Sequence, residues 1–113
     1  MMKGYDKQEA LDFILPRIDR HYHSTLADHI DTLIAQAIDA DMDYMHKAGV
    51  LDADGNAGEN YYEDDEAFEY LVEALVAQND LSTEQAVKVA SLIDDYMDYQ
   101  QQYLESKGLV DWE

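Results

Sequence analysis

Ser82-Thr83-Glu84-Gln85-Ala86-Val87-Lys88-Val89-Ala90-Ser91-Leu92-Ile93-Asp94-Asp95-Tyr96-Met97 is the stretch that decides the fold class. Its first four residues form a capping box. The Ser82 hydroxyl can accept from the backbone N–H of Gln85, and the Gln85 side chain can reach back to the N–H of Ser82. Behind the box, apolar residues recur with a period near 3.6: Ala86, Val89, Ala90, Ile93, Met97 and Leu104, flanked by Tyr96 and Tyr103. The spacing predicts a helix from Ser82 to about Lys107, stopped at Gly108.

The same rhythm extends toward the N-terminus. A helix is expected from about Glu63 to Gln78, burying Ala67, Phe68, Leu71, Val72 and Leu75. Another is expected from Ser24, as N-cap, to about Ala48. Its stripe is Leu26, Ile30, Leu33, Ile34, Ala37, Ile38, Tyr44, Met45 and Ala48, with Gly49 as the stop. The first helix is expected from Asp6 to Tyr22, with Pro16 kinking or dividing it. Residues 50–62 read as the one long irregular stretch. Short connections favour antiparallel neighbours, so the expected fold is an all-α antiparallel four-helix bundle.

The two halves resemble one another. Ile38-Asp39-Ala40-Asp41-Met42-Asp43-Tyr44 matches Ile93-Asp94-Asp95-Tyr96-Met97-Asp98-Tyr99 at five of seven positions. Glu9-Ala10-Leu11-Asp12-Phe13-Ile14-Leu15 is chemically similar to Glu66-Ala67-Phe68-Glu69-Tyr70-Leu71-Val72. Gly49-Val50-Leu51-Asp52 parallels Gly108-Leu109-Val110-Asp111. We read one domain, 1–113, built from a duplicated helical hairpin: repeats 6–52 and 63–111, linker 53–62. The competing explanation is that amphipathic acidic helices align readily with one another.

The chain of 113 residues carries 26 acids against seven Lys or Arg, a formal net charge of −19. Four acids (Asp6, Glu9, Asp12, Asp19) and four bases (Lys3, Lys7, Arg17, Arg20) balance within the first twenty residues. Only Lys47, Lys88 and Lys107 oppose the remaining acids. Self-repulsion on this scale opposes compaction, so a cationic partner, bound cations or a salty environment is implied. The 47% apolar content and nine Tyr argue against disorder. There is no Cys, which excludes disulfides and thiolate metal sites. No signal peptide or spanning segment is visible, so a cytoplasmic location is expected. Direct binding to nucleic acid or an anionic membrane is disfavoured by charge.

The acids are patterned. Asp28, Asp31, Asp39 and Asp43, with His46, lie opposite the stripe of the second helix; Glu66, Glu69 and Glu73 share a face of the third. On the fourth, Asp94, Asp95, Asp98 and Glu105 do so. A solvated face is the ordinary reading. Yet several acids stand three or four residues apart, each such pair destabilising a helix by about 0.2–0.5 kcal/mol. Asp, the poorer helix former, outnumbers Glu by seventeen to nine. A short, stiff side chain holds its charge close to the helix. Asp28, Asp31, Asp39, Asp43, Glu66, Glu69, Glu73, Asp94, Asp95 and Asp98 are therefore the candidate partner-binding residues. The partner expected is a basic protein surface of a nucleic-acid-binding protein. In size, charge and helical content the chain resembles the DNA-mimic inhibitors that phages and mobile elements direct at restriction or CRISPR enzymes. That resemblance is one of composition, and no residues are carried over from it.

Other readings compete for the same residues. One is an acidic bundle with a structural or homo-oligomeric role and no nucleic-acid connection, its charge matched to a high-salt host. Another is calcium. Asp52, Asp54, Asn56, Asn60 and Glu63 occupy positions 1, 3, 5, 9 and 12 of an EF-hand-like loop. Ala57 stands where that loop requires Gly, and Glu59 where it requires an apolar residue. An Asp/Asn/Gly-rich linker accounts for the stretch more simply. Apart from calcium, no cofactor is indicated. His21 and His23, with Asp19 and His29 nearby, lack a third transition-metal ligand of suitable spacing. Asp43-Tyr44-Met45-His46 lacks the paired Glu-x-x-His copies of di-iron bundles. Trp112 is either packed onto the bundle or an interface anchor. Ser24 and Ser82 read as caps, and no catalytic motif is present, so no enzymatic activity is expected.

Overall fold

The capping box at Ser82 forms as the sequence requires. In the computed structural model, which describes residues 2–109, the Gln85 N–H donates to Ser82 Oγ at 3.2 Å and the Ser82 N–H donates to Gln85 Oε1 at 3.0 Å. Four helices follow the apolar stripes: α1 (Lys7–Ile14), α2 (Ile30–Lys47), α3 (Asp64–Asn79) and α4 (Thr83–Ser106). Among the described residues no strand forms, only one isolated bridge between Leu51 and Ala57. None of these helices is long and apolar enough to cross a membrane. Trp112 and the Val110-Asp111 end of the second repeat lie outside the described residues.

The helices pack as an antiparallel four-helix bundle. Near the end of α2, Tyr44 meets Glu66 at the start of α3, while Asn79 at the end of α3 reaches back to Gln36. Tyr103, late in α4, lies beside Glu9 at the start of α1. The core holds Ile14, Ile30, Ile34, Ile38, Met45, Leu71, Leu75, Leu92, Ile93 and Leu104, each under 2% exposed.

Several expectations need correction. The first α-helix ends at Ile14, not Tyr22. Pro16 cannot supply an N–H to a continuing helix, and Leu15–Arg17 form a 3-10 turn instead. The second α-helix begins at Ile30. Ser24–His29 are a 3-10 segment preceded by His23 without a side-chain cap, so Ser24 caps no α-helix. Tyr96 and Tyr103 do not flank the core; both are buried in it. Phe68, Val72 and Met97 are only half-buried. Met2 and Tyr5 close the core from the N-terminal segment.

One set of aromatic contacts occurs twice. The Tyr44 ring meets Tyr62 edge-on at 5.6 Å and Tyr70 at 5.7 Å. The Tyr103 ring meets Tyr5 edge-on at 5.4 Å and Phe13 at 5.7 Å. The Tyr44 hydroxyl lies 3.4 Å from the Glu63 carbonyl and 3.3 Å from the Glu66 carboxylate. The Tyr103 hydroxyl lies at the same distances from the Asp6 carbonyl and the Glu9 carboxylate. In this contact register Tyr44 corresponds to Tyr103. The matching heptapeptides would pair it with Tyr99, one helical turn earlier.

Candidate functional site: an acidic cleft between α3 and α4

The polar residues that shape the site begin with two that sit on core positions. Asp41 follows Ile34 and Ile38 and precedes Met45 at helical spacing. Gln100 stands likewise between Tyr96 and Tyr103. Both are buried, at 1% and 3% exposure. Each accepts a tyrosine hydroxyl from the segment leading into a neighbouring helix. Tyr62 donates to Asp41 Oδ1 at 2.7 Å, and Tyr5 donates to Gln100 Oε1 at 2.9 Å. Tyr96 donates to Asp41 Oδ2 at 2.9 Å. Burial raises the Asp41 pKa to about 6, against the lowering effect of hydrogen bonds from Tyr62, Tyr96 and Gln100. Burial likewise pushes the Tyr5, Tyr62 and Tyr96 hydroxyls upward, so they stay protonated donors. The Gln100 amide lies close enough to Asp41 to help hold its charge, yet its Nε2 makes no hydrogen bond of proper geometry.

These two residues form the floor of a cleft of about 360 Å³. Met45, Phe68, Met97 and Leu104 supply apolar wall. Asp64 and Asp65 from the first turn of α3, and Asp94 and Asp98 from α4, add four carboxylates. The acidic faces of α3 and α4 thus merge around one concavity.

The other acids are sorted by their partners. Lys7 pairs with Asp39 at 2.9 Å, and Arg20 with Asp31 at 2.5 Å. Lys107 pairs with Glu9 at 2.6 Å. Asp43 takes both Lys47, at 3.0 Å, and the Tyr70 hydroxyl, and the Tyr70 bond foremost holds its carboxyl below the usual range. The buried ring of His23 places Nε2 2.6 Å from Asp95 Oδ2. Several seams between neighbours in space are therefore compensated by charges distant in sequence. By contrast α3 carries Asp64, Asp65, Glu66, Glu69 and Glu73, no basic residue, and no ion pair among the described residues.

Of the ten candidate partner-binding residues, Asp31, Asp39, Asp43 and Asp95 are thus paired within the bundle. Glu66 lies beside the Tyr44 hydroxyl. Asp28, Glu69, Glu73, Asp94 and Asp98 are exposed, and among the described residues none has an ion-pair partner. Sequence reasoning missed Asp41, Gln100, Asp64 and Asp65. A polar residue on an apolar stripe was the available signal for the first two.

The calcium candidates take different roles. Asp52 Oδ1 accepts the N–H groups of Asp54 and Asn56, both at 2.9 Å, which closes the turn locally. Asn60 Nδ2 donates to the Ala48 carbonyl at 2.7 Å and so caps the end of α2. Glu63 is the N-cap residue of α3. Among the described residues no group of three His, Cys, Asp or Glu side chains is placed to hold a metal ion. No protein-family model, curated protein or solved structure matches this chain.

Proposed function

We propose that this chain is a non-enzymatic acidic binding protein whose α3–α4 face engages a basic protein surface, one built to hold nucleic acid. The observation that carries this reading is the sorting of charge. Four of the basic side chains pair with acids of α1 and α2, while among the described residues no acid of α3 has an ion pair, and α3 shares a cleft with Asp94 and Asp98. Fixed carboxylates on rigid helices present negative charge at regular intervals, as a phosphate backbone does. Association with a Lys/Arg-lined groove would be steered by charge and weakened by salt.

The test is retention of basic proteins from host lysate on the immobilised chain, followed by elution with duplex DNA. Nucleic-acid mimicry requires that DNA displace what is retained. Retained proteins that salt elutes and DNA does not would count against mimicry.

A second reading, an acidic bundle that self-associates, draws on Tyr22 and Val87. They are 72% and 67% exposed and line one groove. Light scattering across a concentration series tests it. A monomer at all concentrations would remove it.

A further inference from the structure

One groove departs from the acidity of the rest of the surface. Tyr22 and Thr25, from the segment between α1 and α2, line it together with Val87, Lys88 and Ser91 of α4, and it encloses about 440 Å³. Among the described residues no Asp or Glu lines it. Tyr22 and Val87 are two of the three large apolar side chains that the described residues leave exposed. Both walls are anchored. The Tyr22 ring stands edge-on to His23 at 4.9 Å, and the buried His23 ring reaches Asp95 of α4 at 2.6 Å. Lys88 is exposed and, among the described residues, has no ion pair. The same holds for Glu84, one turn earlier on α4.

We propose that this face is a two-fold interface between copies of this chain, with α4 of one copy antiparallel to α4 of the other about the level of Ala86. This rests on the self-association reading above and gives it a place and a register. At a net charge of −19, two copies repel one another on most approaches. The approach through this groove brings together lining residues without a carboxylate. Its charges are also self-complementary. Glu84 and Lys88 lie about 3 Å along the axis on either side of Ala86. Reversal about that level sets Lys88 of each copy against Glu84 of the other, as an isologous contact requires. It also brings the two Val87 side chains to nearly the same height, so each copy covers apolar surface of the other. An unrelated partner would need an acid one turn from an apolar residue to match this face. The chain's own α4 carries that pattern as Glu84-x-x-Val87-Lys88. No residue lines both this groove and the α3–α4 cleft.

The experiment is sedimentation velocity of the full chain across a concentration series at low and at moderate NaCl. The dimer fraction should rise with concentration and also with salt, because screening relieves the repulsion between copies. Val87→Asp should leave a monomer with an unchanged circular dichroism spectrum. Glu84→Lys and Lys88→Glu should each weaken dimerisation about three- to thirtyfold, since each sets like charges across the two-fold. They do so although they change the net charge in opposite directions. The double variant Glu84→Lys with Lys88→Glu should regain wild-type dimerisation, and an equimolar mixture of the two single variants should form the mixed dimer in preference to either parent. Opposite shifts in the two single variants would show that net charge alone governs association, and would overturn the interface. A wild type that stays monomeric at every concentration and salt overturns the proposal together with self-association. A dimer indifferent to Val87→Asp and to the charge exchanges leaves self-association standing and overturns this interface.

Discussion

Asp41 and Gln100 hold equivalent places in the two halves of the bundle. Each accepts the hydroxyl of a tyrosine that precedes a neighbouring helix, the half-buried Tyr62 for Asp41 and the buried Tyr5 for Gln100. One of the pair is an acid and the other an amide, so the first half carries a proton-linked cost that the second lacks.

That difference predicts a pH effect. Burial raises the Asp41 pKa from 3.8 to about 6, so the folded state holds this proton more tightly than the unfolded state. The resulting stabilisation is full below the unfolded value and is lost as pH rises through the folded one. Its size is about 3 kcal/mol. Asp41→Asn has no such step. The Tm of the variant minus that of wild type should therefore increase from about pH 4 to about pH 7. A difference that stays flat would contradict the assignment.

Asp80 ends α3 in the left-handed region, with φ 50° and ψ 54°, and is the one described non-glycine residue with positive φ. It also sets a negative charge at the negative end of a helix dipole. Asp80→Gly should raise stability by about 1 kcal/mol, with Asp80→Asn recovering part of the gain. Urea unfolding checks this as a shift of midpoint at constant slope.

Gly58 has the opposite sign. A Cβ there would overlap the Gly49 carbonyl oxygen, and the Gly58 N–H donates to the Val50 carbonyl at 2.8 Å. Gly58→Ala should cost about 1–3 kcal/mol. The Lys3 N–H donates to the Gly55 carbonyl in the same loop, so exchange protection at Lys3 should fall with it.

The uncompensated charge on α3 should be visible as lost stability. Glu69 stands four residues from both Asp65 and Glu73 and three from Glu66. Glu69→Gln removes three repulsive pairs worth about 0.2–0.5 kcal/mol each. Its Tm should exceed that of wild type at low salt, and the gap should close near about 1 M NaCl. A gap unchanged by salt would point to something other than charge.

Legibility in the sequence followed locality. The capping box at Ser82 and the stops at Gly49 and Gly108 involve residues within one turn of each other, and each lies where the sequence places it. Pro16 divides the first stripe as its missing N–H requires, whereas the 3-10 conformation of Ser24–His29 depends on how His23 and Leu26 reach the core, which no local pattern encodes. Asp39 and Asp31 on α2 look like a free face in the sequence because their partners, Lys7 and Arg20, are distant along the chain. Asp64 and Asp65 looked like ordinary first-turn acids. Only the packing of α3 on α4 brings them to Asp94 and Asp98.

The central claim is that binding belongs to the α3–α4 face and not to net charge at large. Two variants of equal charge change test it most directly. One reverses Glu69, Glu73 and Asp94 to Lys; the other reverses Asp28, Asp31 and Asp39. Retention of basic, DNA-displaceable proteins should be abolished by the first and largely kept by the second. Equal loss in both would contradict the account.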